Sequence, residues 1–126
     1  MLITITGKTE IILTLADGPL DIALESDDPD AGFGPLHMLA ASLATCTGSV
    51  LESYAETARL QSDGTRIRVT WEYAEQPHRV GAYELEIIWP HEIPEARRKA
   101  LLRAAEQCTV HATLTHSPAI SARVAE

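Results

Sequence analysis

Residues 27–56 read DDPDAGFGPLHMLAASLATCTGSVLESYAE, an acidic, turn-rich stretch that passes into a long run almost free of charge. Pro35 stands where the first residue of a helix tolerates proline, because the amide hydrogen it lacks would be unpaired there anyway. The spacing predicts a helix from Pro35 to about Arg59 or Leu60. Leu39, Leu43, Cys46, Val50 and Tyr54 recur at helical intervals and form one stripe, which puts Cys46 on an expected core face. Ala40, Ala41, Ser42 and Ala44 keep the other faces small or apolar until Glu52. A helix that is apolar all round is buried on several sides. A domain this small cannot surround such a helix alone, so a second subunit is expected to supply the missing walls. Beyond Glu52 the charges of Glu56 and Arg59 return, and the helix is expected to emerge into solvent. The preceding residues 25–34, with Pro29, Gly32 and Gly34, read as a mobile loop, and Asp27, Asp28 and Asp30 in it read as a solvated turn lacking a calcium-loop pattern.

Working outward, residues 2–6, 10–15 and 20–24 are β-branched runs. The breaks at Gly7-Lys8 and Asp17-Gly18-Pro19 are turn chemistry, which predicts a three-stranded meander. After the helix, residues 65–73 alternate Ile67, Val69 and Trp71 against polar neighbours, and residues 81–89 answer them across a loop, so the two are expected to form a hairpin. Pro94 opens a second helix whose Leu101, Ala105 and Cys108 share a stripe, residues 110–116 add a further turn, and residues 118–124 (PAISARV) read as a final edge strand. Strands, a long buried helix, a hairpin, a second helix and a last strand define an α+β fold with an antiparallel sheet.

The length of 126 residues fits a single domain, 1–126, and 45% hydrophobic with 22% charged residues is a globular composition. Asp and Glu number 18 against 10 Lys and Arg, a formal charge of −8, which argues against nucleic acid and anionic membrane as partners. The uncharged residues 31–51 are interrupted by Gly32, Gly34, Pro35, His37 and Gly48 and read as a core helix, so no membrane segment is expected. The start, MLITITGKTE, lacks a basic region followed by an apolar run, so no signal peptide is expected and the predicted location is cytoplasmic.

Two cysteines are too few for a disulfide scaffold, and Cys46 and Cys108 lie too far apart for a local CxxC motif. Inert packing is one reading, since free cysteine is among the most buried residue types. The other is a thiol pair converging between two helices, able to reduce a peroxide through a sulfenic acid and a disulfide. His111 follows Cys108 by one helical turn and is a candidate to steady a thiolate, with a boundary histidine bonded to backbone as the alternative. His37 lies about 13 Å of helix rise from Cys46, out of reach of that sulfur within one chain. A zinc site from Cys46, Cys108, His111 and His37 has fitting ligand types but lacks close-paired spacing except at Cys108-x-x-His111, so no metal is expected. Glu52 and Glu56, with Arg59 nearby, read as a solvated face.

The segment of residues 27–56 resembles the acidic loop, Gly-Pro, long central helix and embedded cysteine of the OsmC/Ohr family, and AEQCTVHATL at residues 105–114 is similar to its second-cysteine segment. The resemblance covers residue 27 to the C-terminus. It implies an OsmC-like fold and an intertwined homodimer with packed central helices. It further implies a thiol-dependent peroxidase of the oxidative stress response, with Cys46 peroxidatic and Cys108 resolving, acting on hydrophobic organic hydroperoxides. No metal or flavin is implied, only an external dithiol reductant, and His111 and His37 stand as modulators. The alternative on the same scaffold is a non-catalytic stress protein binding a small apolar ligand. Family peroxidases use an N-terminal arginine and a glutamate just after the proline; here Leu36 occupies the glutamate's place and no arginine precedes Arg59. Lys8, His111 and Arg79 of the partner subunit are the candidate replacements.

Overall fold

Alternating apolar residues in the strands decide which sheet face turns inward. The computed structural model describes all 126 residues and forms β1 (Leu2–Gly7), β2 (Glu10–Thr14), β3 (Asp21–Leu24), α1 (Pro35–Ala58), β4 (Arg66–Ala74), β5 (Arg79–Ile88), α2 (Glu95–Ala105) and α3 (Thr109–Thr115). The five strands make one sheet in the order β3-β1-β2-β4-β5. Ile11 pairs with Val69 and Leu13 with Ile67, so consecutive strands present the same buried face. With Ile3, Ile5 and Trp71 these residues form the floor of one core. Each fully buried aliphatic side chain contributes about 1.5–3 kcal/mol of transfer free energy.

The predicted meander is not what forms. β3 runs parallel to β1, Ile3 opposite Ile22, while every other strand pair is antiparallel. The far edge of β2 is already taken by β4, so the 17–19 turn carries the chain past the sheet end to the free edge of β1. Gly18, at φ 104°, supplies the left-handed backbone that this turn requires. The crossing is tied down by the Met1 amine donating to the Ala16 carbonyl at 2.9 Å and by the Asp21 N–H donating to the Met1 carbonyl at 3.0 Å.

α1 packs on β2 and β4 through His37, Ala40, Ala44, Thr47, Leu51 and Ala55. The predicted leucine and cysteine stripe takes part in the core only in part: Leu43 is buried in it, and Cys46, Val50 and Tyr54 are half-buried against it. Small residues let the helix backbone approach the sheet closely, and they hold the most buried face that the stripe was expected to hold. Leu39 is 41% exposed. The exit of α1 is as expected: Glu52 and Glu56 are exposed, and Arg59 ends the helix in the left-handed conformation at φ 58°.

Two further expectations are corrected at the C-terminal end. The second helix stops at Ala105, and Cys108, instead of closing its stripe, is the residue that caps α3. Residues 118–124 form no strand within the chain, and Ile120 and Val124 are 89% and 93% exposed. A strand is stable only when its backbone groups find a ladder partner, and neither free sheet edge of the same chain provides one. No helix is long and apolar enough to cross a membrane.

At Gly48 α1 approaches the sheet closely: an added Cβ would lie 2.8 Å from a Leu13 methyl and 3.0 Å from a Leu15 methyl. Gly48→Val is therefore expected to destabilise by about 1–3 kcal/mol through overpacking, despite valine's better helix propensity. Urea unfolding checks it; a midpoint at or above the wild type's contradicts the close approach.

Candidate functional site

The rotation of α1 that buries its small residues also aims Cys46 at the start of α3. Cys46 is half-buried one turn beyond Leu43, and Cys108 is fully buried immediately before α3. Both are free thiols, and they lie close enough for each to influence the other's protonation, in opposite directions. Residues 62 positions apart in the sequence thus converge, as the thiol-pair reading requires.

One backbone hydrogen bond reaches the pair, from the His111 N–H to Cys108 Sγ at 3.3 Å, and the backbone of Val110 and Thr109 acts on Cys46 in favour of its charged form. These residues belong to the first turn of α3, where no helical carbonyl is available to their amides. Burial is the largest influence on the Cys46 thiol and pushes it up, but the Cys108 thiol and the backbone of Val110 and Thr109 together outweigh it, so Cys46 ends below the ordinary range of a free thiol. Burial likewise pushes Cys108 up, and there the neighbouring Cys46 adds to burial instead of opposing it. Cys46 is thereby the more acidic of the two thiols and Cys108 the less acidic.

The histidines divide. The ring of His37 is buried, donates from Nε2 to the Gly7 carbonyl at 3.0 Å and stands edge-on to Trp71 at 5.0 Å between centroids. It fastens the start of α1 to β1 and β4, and does not join the cysteines. His111 reaches Cys108 through its backbone, not its ring; the ring lines a neighbouring groove. No three His, Cys, Asp or Glu side chains converge as a metal site. Lys8 is exposed in the β1–β2 turn. Arg79 lines the groove of its own chain, its guanidinium held by the carbonyls of Glu75 and Pro77 at 3.1 and 2.8 Å.

That groove has a volume of about 500 Å³ and runs between α1, β5 and α3. Leu36, Leu39 and Leu43 form one wall, Leu85 and Tyr83 the floor and Leu114 the opposite wall. Leu43 and His111 bring its lining to within one turn of each cysteine. Leu36, at the position where the resemblance expects a glutamate, is here an apolar wall residue. The Thr109 and Val110 backbone groups and Tyr83 were not among the residues predicted from sequence. Tyr83 has its hydroxyl buried without a partner, and burial followed by the nearby Tyr73 raises its pKa above the ordinary tyrosine value. The backbone groups left no signal, because any residue supplies them; the only clue was the unexpected end of α2.

An α+β fold carrying a long central helix and two interacting thiols, one on that helix and one ahead of a short C-terminal helix, defines a class of two-cysteine proteins. The OsmC-like protein family model matches residues 27–123, and the chain belongs to that family. Among solved structures, it is similar to an osmotic stress induced and detoxification response protein from Psychrobacter arcticus 273-4, at 23% identity and a TM-score of 0.62 over 88% of this chain and 84% of that one. It is also similar to an OsmC-like hydroperoxide resistance protein from Jannaschia sp. CCS1, at 24% identity and a TM-score of 0.58 over 81% of this chain and 72% of that one. No curated protein matches.

The opposed directions of the two thiols are directly measurable. Replacing Cys108 by Ala removes the largest influence that lowers the Cys46 thiol, so the pH inflection for alkylation of Cys46 is expected to move up. Replacing Cys46 by Ala removes an influence that raises the Cys108 thiol, and the Cys108 inflection is expected to move down. Rates of iodoacetamide modification against pH, read by mass spectrometry, check both; movements in the opposite senses contradict the assignment.

Proposed function

We propose that the chain is a thiol-dependent peroxidase of the hydroperoxide-reducing (Ohr) type, acting on organic hydroperoxides through Cys46 and Cys108. The observation that carries this reading is the thiol pair itself, with its acidified member one turn from an apolar groove. Family membership and the name of the hydroperoxide resistance neighbour support it. The Cys46 thiolate attacks the outer peroxide oxygen, the O–O bond breaks, and the alkoxide leaves as the alcohol after taking a proton. The Cys46 sulfenic acid is then attacked by the Cys108 sulfur, forming the disulfide and releasing water. An external dithiol reduces the disulfide and is itself oxidised; no metal or flavin is needed. A cytoplasmic setting, where thiols are kept reduced, suits this cycle.

Activation of Cys46 in this scheme does not use a guanidinium. The backbone of Thr109 and Val110 and the Cys108 thiol take that role, and the leucines of the groove receive the substrate's apolar part. Peroxide consumption with a dithiol present is expected to fall to background in Cys46→Ser, while Cys108→Ser holds Cys46 as a sulfenic or sulfinic acid, a mass gain of one or two oxygens on its peptide. Equal turnover by wild type and Cys46→Ser rejects the enzyme and leaves an apolar-ligand protein on the same scaffold.

We also propose a homodimer. Met38 and Leu39 on α1, Leu20, Ile22 and Leu24 around the edge strand β3, and Ile120 and Val124 of the tail all expose apolar surface that a second copy would cover. A dimer mass by light scattering at micromolar concentration is the expected result, and Leu39→Glu is expected to weaken it; a monomer at that concentration rejects the proposal.

A further inference from the structure

At the other end of β5 the chain leaves the sheet through Trp89 and the two prolines, Pro90 and Pro94, before α2 begins. This short, stiff linker stands off from α2 and encloses a second pocket of about 320 Å³, which shares no lining residue with the groove beside the thiols. Ile87, Trp89, Ile93 and Leu101 give it an apolar interior. Its two polar lining residues are both nitrogen bases, Arg98 and His91, and no carboxylate lines it.

The two are differently committed. His91 donates from Nε2 to the Asp63 carbonyl at 2.8 Å and lies 3.5 Å from the Asp63 carboxylate, which fastens the linker to the turn before β4 and leaves Arg98 as the one basic lining residue without a carboxylate partner. Arg98 takes part in none of the ion pairs of the chain. On a protein of net charge −8, a guanidinium without a carboxylate partner beside an apolar hollow is a local reversal of the surrounding field. A planar guanidinium matches a carboxylate with two parallel hydrogen bonds, and it pairs best where one side is shielded from water. The volume lies at the small end of ligand pockets.

We propose that this pocket binds a small apolar monocarboxylate, the hydrocarbon part resting against Trp89 and Leu101 and the carboxylate on Arg98. The site is separate from the thiol pair, and the proposal stands whether or not the chain reduces peroxides. Selectivity follows from the lining: a neutral molecule of the same shape gains only the apolar contacts, and a dianion brings a second charge that the apolar wall cannot solvate.

The chain has two tryptophans, so their indole N–H signals in a proton–nitrogen correlation spectrum serve as separate reporters. Trp71 lies in the core against His37 and is the reference. Titration with octanoate is expected to shift the Trp89 signal saturably and leave Trp71 unmoved. Arg98→Ala, a change at an exposed position, is expected to weaken octanoate binding roughly tenfold or more. Leu102→Glu, which places a carboxylate at the pocket, is expected to abolish it, and octan-1-ol is expected to bind wild type and Arg98→Ala alike. The proposal is overturned by a Trp89 signal that does not move, by equal octanoate affinity in Arg98→Ala, or by shifts confined to Tyr83 and His111 in the groove.

Discussion

The close seating of α1 on the sheet sets everything else in this molecule. A helix can lie against a pleated surface at short range only if the residues between the two backbones are small, and Ala40, Ala44, Thr47 and Gly48 meet that condition over β2 and β4. Once that face is committed, helical geometry rotates Leu39, Leu43 and Cys46 to one side. There Leu39 and Leu43 face the groove beside β5, and α2 and α3 pack against the same helix. The thiol pair is thus a consequence of packing on the opposite flank, and a bulky substitution on the sheet side would move the sulfur without touching it.

The chemistry at that flank depends on how a buried thiolate is stabilised. Removing a sulfur anion from water raises its pKa, and a nearby positive charge or hydrogen-bond donor must offset this. At Cys46 the Cys108 thiol and the backbone of Val110 and Thr109 act against burial and leave the thiol below its ordinary range. The same arrangement costs Cys108 acidity, because Cys46 adds to the effect of burial there. In the proposed peroxidase cycle such coupling would have a chemical benefit: as Cys46 lost its charge on oxidation, the reason for Cys108 to keep its proton would disappear.

Much of this was legible before the structure. The strands, the helix opening at Pro35, the β4–β5 hairpin and both cysteines follow from periodicity and turn residues, because these signals are local. What was not legible is what depends on the competition between faces. The α1 stripe was read by hydrophobicity, which ranks leucine above alanine, whereas the helix–sheet distance selects the smaller residue. The β3 position was read as the next neighbour in a meander, and only the prior occupation of the β2 edge by β4 sends it to β1. His37 and His111 carried chemistry in the sequence, yet one is spent on the Gly7 carbonyl and the other acts through its amide.

The positions of the basic residues complete this picture. Two exposed arginines line the apolar hollows at opposite ends of β5. Arg79 lines the thiol groove with its guanidinium already held by the carbonyls of Glu75 and Pro77, so it is fixed in place without being neutralised. Backbone carbonyls carry no net charge, and the field of Arg79 therefore persists along the groove toward any anion that enters it. Arg98, with no carboxylate partner, presents the same sign at the far pocket. The sheet's last strand thus separates two apolar hollows, each with a cation in its lining, and only one of them leads toward sulfur.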